Sequence, residues 1–376
     1  MVLWSYELPP ERIAQYPVEP RHAARLLIYR QGQLQETVFL HLSEYLPPET
    51  LLFYNDSRVV PARLRQGRVE FFLTEIMEGS WHAGSPQRWK GLFRPGRFWR
   101  RGGQVGWEKA ERRLLLRWIG PADEQQGFFA AEWSPASLSA LEVVETFGEV
   151  PLPPYIKRPS ETQDKTRYQT FYAREPGSVA APTAGLHFTP EVWQRLHAKG
   201  IQTQPVTLHV GLGTFLPLRT PELPEAHPMH AETFSVTAEA LQLLQQPGSR
   251  PILCVGTTTL RLLESLYWIG ALRLRGEPTP TLPALVWKQL RPLPPLAEAL
   301  QALEPFSGST SLYILPGYPF QVAHALVTNF HQPQSTLLGL VEAFIGRAGL
   351  EQVYQYALEK GFRFLSYGDA SLLWRV

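Results

Sequence analysis

Of the side chains in this sequence that could move a proton, five stand in or beside runs of small or hydroxylated residues: His187, His209, His331, Glu232 and Asp369. His187 closes the run 178–185, which has almost no side-chain bulk, and His209 leads into Gly211-Leu212-Gly213-Thr214. His331 ends Thr328-Asn329-Phe330-His331, and Asp369 follows Ser366-Tyr367-Gly368. An imidazole or carboxyl group tuned near the working pH can act as general acid or base. Small residues let a ligand come close to the backbone. A lone histidine is also a common structural bridge, so a site role is expected for at least two of the three.

A second group is suited to holding rather than reacting. The apolar run 251–255 breaks at Gly256-Thr257-Thr258-Thr259, and a helix follows that carries Arg261 and Glu264. Strand, Gly-Thr turn and helix make a corner whose amides can bind an anion or a ribose. An ordinary Thr-capped helix is the alternative. Asparagine occurs only at Asn55 and Asn329, each in a dense polar cluster, so specific hydrogen bonds are expected there. For Asn55 a plain turn role is equally open. Asp56 and Arg58 read first as a structural ion pair and second as ligands.

Other chemistries are excluded by pattern. His227-x-x-His230-x-Glu232 invites a metal, but the catalytic zinc pattern needs two His one helical turn apart plus a third ligand, and Pro228 disrupts such a helix. No metal is expected, and Glu232 reads as an acid–base or ribose-binding group. Gly211-x-Gly213 lacks the third glycine of a dinucleotide loop, and no Gly-Lys-Ser/Thr follows Gly256. Cys254 is the only cysteine and reads as a small buried hydrophobe. No apolar run of about 18 residues predicts a membrane helix. The N-terminus lacks a signal-peptide pattern, so a cytoplasmic protein is expected, acting as a monomer. The 376 residues suit one large domain or two ordinary ones, and a net charge of +2 does not by itself announce nucleic acid.

Positioning these residues requires strands that end where the motifs begin. Residues 26–29 and 51–54 read as short buried strands. Thr189-Pro190-Glu191 reads as a helix start, with Thr as cap, Pro at the first position and Glu at the positive end of the dipole. Gly200 stops that helix, and 201–210 alternates toward a strand. Residues 312–315 and 325–330 read as strands. Ser335 reads as the cap of a helix to about 346, with a second helix over 350–360. Strands are expected at 362–365 and 372–376.

Composition shifts near Arg65. Strand-like segments at 69–76, 89–93, 113–118 and 127–133, parted by Gly and Pro turns, predict a small sandwich or barrel. A helix is expected from Ser134-Pro135 to about Phe147. Arg94, Arg97, Arg100 and Arg101 interleave here with Trp89, Phe93, Phe98 and Trp99. That mixture fits a surface that tracks phosphates and stacks bases. A solvated basic face over an aromatic core is the other reading. The Pro-rich passage 148–158 returns the chain. The fold expected from the pattern is α/β, with a β-rich domain inserted over 65–149 between 1–64 and 150–376.

Several motifs together resemble one family. They are Ile13-Ala14-Gln15, Arg25-Leu26-Leu27, Asn55-Asp56-Ser57-Arg58-Val59-Val60-Pro61-Ala62-Arg63, Pro151-Leu152-Pro153-Pro154-Tyr155-Ile156 and Tyr168-Gln169-Thr170. Further on come Pro182-Thr183-Ala184-Gly185-Leu186-His187, His209-Val210-Gly211-Leu212-Gly213-Thr214, His230 with Glu232, Val255-Gly256-Thr257-Thr258, Thr328-Asn329-Phe330-His331 and Tyr367-Gly368-Asp369-Ala370. In this order the chain resembles the S-adenosylmethionine:tRNA ribosyltransferase-isomerases of queuosine biosynthesis, end to end. It departs from them at His22, Ala24, Gln334 and Gly339.

The resemblance implies a discontinuous, barrel-like α/β catalytic domain over 1–64 and 150–376, interrupted by a small β-barrel domain over 65–149. It implies S-adenosylmethionine as ribosyl donor, a substrate, with no metal. The acceptor would be tRNA carrying 7-aminomethyl-7-deazaguanine at the wobble position. The product would be epoxyqueuosine-tRNA, with adenine and methionine released. His187, His209, His331, Glu232 and Asp369 would be the catalytic candidates. Asn55, Asp56, Arg58, Thr183, Gly211, Gly213, Thr214, His230, Gly256, Thr257, Thr258, Arg261, Asn329 and Tyr367 would bind substrate. Arg63, Arg94, Arg97, Arg100 and Arg101 would contact the tRNA. A methyltransferase would need a Gly-rich loop after the first strand, which is missing. A purely RNA-binding module would leave the small-residue and histidine clusters without a purpose.

Overall fold

A computed structural model of the chain describes residues 4–211, 225, 227 and 229–376. Leu51–Asn55 is buried at every position, so it forms an inner strand covered on both faces. It lies in a ten-stranded mixed sheet. Gln202–Leu208 pairs with it in parallel on one side and Ile252–Val255 in parallel on the other. Ala325–Asn329 runs parallel to Ile252–Val255, and Ala370–Trp374 runs antiparallel to Ala325–Asn329. Four parallel strands therefore deliver their carboxyl ends to one edge of the sheet: Asn55, Leu208, Val255 and Asn329. Asp369, just before the antiparallel strand, reaches the same edge. In open α/β sheets this edge is where ligands bind.

The sheet continues through Arg25–Arg30 to the edge strand Gln33–Val38, and on its other side through Glu232–Val236 and Phe306–Thr310 to Thr281–Leu282. Among the described residues these two edges do not pair, so the barrel-like closure expected of the catalytic part is not formed. The reason is visible in Gln33–Val38, which is exposed or half-exposed along its whole length and carries Gln and Glu to water.

A second sheet of six strands is antiparallel throughout. Its order is Arg63–Gln66, Val69–Glu78, Gln87–Arg94, Gln126–Ser134, Arg112–Pro121, Gln104–Lys109. Trp107 Nε1 donates to Arg65 O (2.9 Å), which bridges the last strand to the first and nearly closes the sheet. Trp89, Trp99, Phe71 and Phe129 fill its interior. The helix expected from Ser134 starts only at Ala140, behind a capping box of Ser139 and Glu142. Ser134 is still paired with Arg113 in the sheet, so it cannot open a helix. A bridge between Arg63 and Glu149 joins the entry and exit of this segment.

Other elements differ from expectation for local reasons. Residues 312–315 are buried but unpaired as strand, because Leu312 O accepts from Arg261 and Tyr313 O from Trp287. Residues 362–365 make only the bridge Ile13↔Phe364. Thr189 precedes the helix Pro190–Ala198 without capping it, since its hydroxyl meets His22 Nδ1 at 2.8 Å. Ser335 likewise does not cap; its hydroxyl donates to Gln332 O. The two expected C-terminal helices do form within Thr336–Glu359, parted at Gly346, whose φ of +74° is not helical. Thr257–Leu274 is buried along most of its length, and Glu264 at its middle accepts from the amides of Gln321, Val322 and Ala323. No helix among the described residues is long and apolar enough to cross a membrane.

Candidate functional site at the carboxyl edge of the sheet

The carboxyl ends of the strands enclose a cavity of about 80 Å³. Ala180, Ala181, Thr183 and Ala184 line one wall, Gly256, Thr257 and Thr258 a second, and Thr328, Asn329 and His331 a third. Gly256 has φ +86°, a left-handed turn that suits glycine and lets the strand Ile252–Val255 pass straight into the helix. The hydroxyl of Thr258 is buried with no partner among the described residues.

Asn329 ties two walls together. Its Oδ1 accepts from Thr183 Oγ1 (3.0 Å) and its Nδ2 donates to His187 Nε2 (3.1 Å). His187 is therefore an acceptor there and neutral. Burial, helped by the cations Arg363 and Arg21, pushes its pKa down to about 3. The ring packs on Phe39 behind Thr183 and Asn329 and does not line the cavity. His331 does line it. Its Nε2 meets Thr328 Oγ1 at 3.0 Å, its amide donates to Tyr354 Oη, and burial pushes its pKa down to about 3.

A larger cleft of about 970 Å³ opens between the two sheets. Arg63, Lys90, Arg94 and Arg100 line its six-stranded side; Gly211, His230, Glu232, Arg261 and Tyr313 line the other. Glu232 accepts from the Gly211 amide (3.1 Å) and pairs with Arg261 Nη1 (2.7 Å). Leu337 lines both the cleft and the small cavity, so the two are neighbours.

Several expected site residues lie elsewhere. Asn55 bonds Leu208 N and O and the Ser57 amide, so its polar atoms stitch strands together. Asp56 accepts from Thr207 (2.7 Å), and burial raises its pKa. Arg58 pairs with Glu145. Asp369 accepts from the amides of Arg25 and Arg363 and faces the Arg363 guanidinium. Tyr367 donates to Asp164 (3.3 Å), which Arg158 grips with two nitrogens. In each case the backbone brought a partner the sequence did not announce. His209 is half-buried against Gly177, outside both hollows, and its Nδ1 has no partner among the described residues. Burial lowers its pKa. Arg97 and Arg101 border a separate hollow around Phe98. Gly213 and Thr214 lie outside the described residues.

Tyr155 and Ser366, joined at 2.7 Å, line the small cavity without having been singled out. Tyr155 stood in the Pro-rich motif, but nothing in its spacing pointed to a pocket. The odd Gly339 is explained by Trp4, whose ring lies 2.6 Å from where a Cβ would stand and occupies that space.

The motifs keep one order along the chain, and a family model described as "Queuosine biosynthesis protein" matches residues 1–373. The chain belongs to this family. Among curated relatives, the S-adenosylmethionine:tRNA ribosyltransferase-isomerase of Caulobacter vibrioides is 41% identical over 389 residues, covering 99% of this chain and 98% of its own. The protein of the same name from Brucella ovis is 39% identical over 384 residues, covering 100% and 97%. A solved S-adenosylmethionine tRNA ribosyltransferase from Thermotoga maritima is 30% identical, covering 98% of this chain and 99% of that one, with a TM-score of 0.49.

Proposed function

We propose that this chain is an enzyme of queuosine biosynthesis that uses S-adenosylmethionine as ribosyl donor. It transfers and isomerises the ribosyl group onto 7-aminomethyl-7-deazaguanine at the tRNA wobble position, giving epoxyqueuosine and releasing adenine and methionine. The observation that carries this reading is near-full-length identity of 39–41% to relatives bearing that enzyme name.

The geometry supports it in three ways. A hollow of about 80 Å³ takes only a fragment of such a donor, whereas a cleft of about 970 Å³ has room for the remainder and for an extruded base. His331 is neutral at working pH and faces the small cavity, so it can offer or accept a hydrogen bond there. His187 acts at one remove, by orienting Asn329. In this reading residues 1–64 and 150–376 form the catalytic unit, and 65–149 presents Arg94 and Arg100 to the tRNA backbone from across the cleft. Among the described residues no group of His, Cys, Asp and Glu is placed to hold a metal.

The test is incubation with S-adenosylmethionine and precursor tRNA. Free adenine and a tRNA mass gain equal to the rebuilt ribosyl unit are expected. A methyl-sized gain, or no turnover, would sink the proposal.

A further inference from the structure

The guanidinium of Arg261 is buried but only partly used. Nε donates to Leu312 O (3.1 Å) and Nη1 to Glu232 Oε2 (2.7 Å), while Nη2 has no partner among the described residues. The residue is 7% exposed and lines the large cleft. A buried guanidinium nitrogen holds its position poorly without an acceptor, so a ligand oxygen is the natural occupant of that edge. The hydroxyl of Tyr313, which lines the same cleft, is also buried without a partner among the described residues.

The surroundings select the ligand. Glu232 balances the charge of Arg261 inside the cleft wall. A bare phosphate brought to Nη2 would meet the neighbouring carboxylate and be repelled. A group carrying both signs is not, because its cation can face Glu232 while its carboxylate takes the guanidinium edge. Position along the helix agrees. Thr257 and Arg261 are four residues apart on Thr257–Leu274 and so share a face; Thr257 lines the small cavity and Arg261 the cleft. One ligand can reach both.

We infer that Arg261, with Glu232 beside it, holds the zwitterionic α-amino-acid end of the sulfonium donor, the part that leaves as methionine. This rests on the donor proposed above. It assigns to Arg261 the task of telling the complete donor from one without its amino acid.

The experiment compares equilibrium binding of S-adenosylhomocysteine and 5′-methylthioadenosine by titration calorimetry. Both are thioethers of the same nucleoside, and only the first carries the amino-acid end. The wild-type chain is expected to bind the first at least about tenfold more tightly. Arg261→Gln is expected to bring the two affinities together while leaving that for 5′-methylthioadenosine unchanged. Arg261→Lys, which keeps the charge, is expected to fall between. Equal affinities in the wild type overturn the inference, and this arm needs no variant to fold. A preference that survives in Arg261→Gln overturns it too. Failure of the proposed function reads differently, as no adenine release from S-adenosylmethionine with precursor tRNA, since calorimetry does not depend on turnover.

Discussion

His187 and His331 are both held near a pKa of about 3 by burial, against about 6.5 for a free imidazole. The unfolded chain then binds protons that the folded chain refuses. Stability is complete above the unfolded value and is lost as pH falls from about 6.5 toward 3. At pH 5 each ring should remove about 2 kcal/mol relative to neutral pH. Urea melts at pH 7 and pH 5 should therefore show a steeper acid loss for the wild type than for His331→Gln. Parallel losses would disprove the assignment of that burden to His331. The same shift bears on chemistry. A ring this reluctant to hold a proton is a poor resting acid, so His331→Ala should lower turnover chiefly by removing a hydrogen-bonding partner from the cavity. Asn329 carries more than either ring, because one amide serves Thr183 and His187 at once. Asn329→Ala leaves buried His187 and half-buried Thr183 unmatched and should cost about 1–3 kcal/mol, read in the same melts.

Among the elements, the helix Thr257–Leu274 decides most. Its first turn lines the small cavity, Arg261 in its second reaches the cleft, and Glu264 fixes it to the loop before Ala325–Asn329. The distance between the walls formed by Thr257 and by Asn329 is thus set by a buried carboxylate that lines neither hollow. Farther along, Gly270 crosses the helix Leu296–Gln301 so closely that a Cβ would lie 1.9 Å from Ala299 O. Backbone cannot yield as a side-chain tip can. Gly270→Ala should cost about 1–3 kcal/mol and lower the melting temperature, despite alanine being the better helix former. A variant as stable as the wild type would show that the two helices can move apart at little cost.

At the scale of the whole molecule, the cleft has two walls of different character. Arg63 and Lys90 on the six-stranded side already have carboxylate partners, Glu70 and Glu75. Arg94 and Arg100 have no carboxylate partner among the described residues, which leaves their charge for a polyanion. Arg94→Glu with Arg100→Glu should weaken tRNA binding and make the salt dependence shallower, by roughly one unit of slope for each phosphate no longer neutralised. Affinity for S-adenosylhomocysteine should stay unchanged. An unaltered salt slope would assign these arginines to a solvated face. Arg97 and Arg101, which border another hollow, serve as the control pair.

Much of this was legible in the order of residues alone. The runs 26–29, 51–54 and 251–255 became strands, because a continuous buried apolar run has few other homes. The polar motifs at Gly256, Asn329 and His331 did come together, since chemistry-bearing residues in short turns sit where strands end. What the sequence could not decide was which polar side chains would be used up inside the protein. Asn55, Asp369 and Tyr367 have the same residue types as ligands, and their partners, Leu208, Arg25, Arg363 and Asp164, come mostly from distant parts of the chain. Hydrogen bonds between distant segments exist only once the sheet order exists. The open edge of Arg261 belongs to the same class of fact. Helix register, the Leu312 carbonyl and Glu232 together leave one of its nitrogens without a partner among the described residues, and only the tertiary structure sets those three side by side.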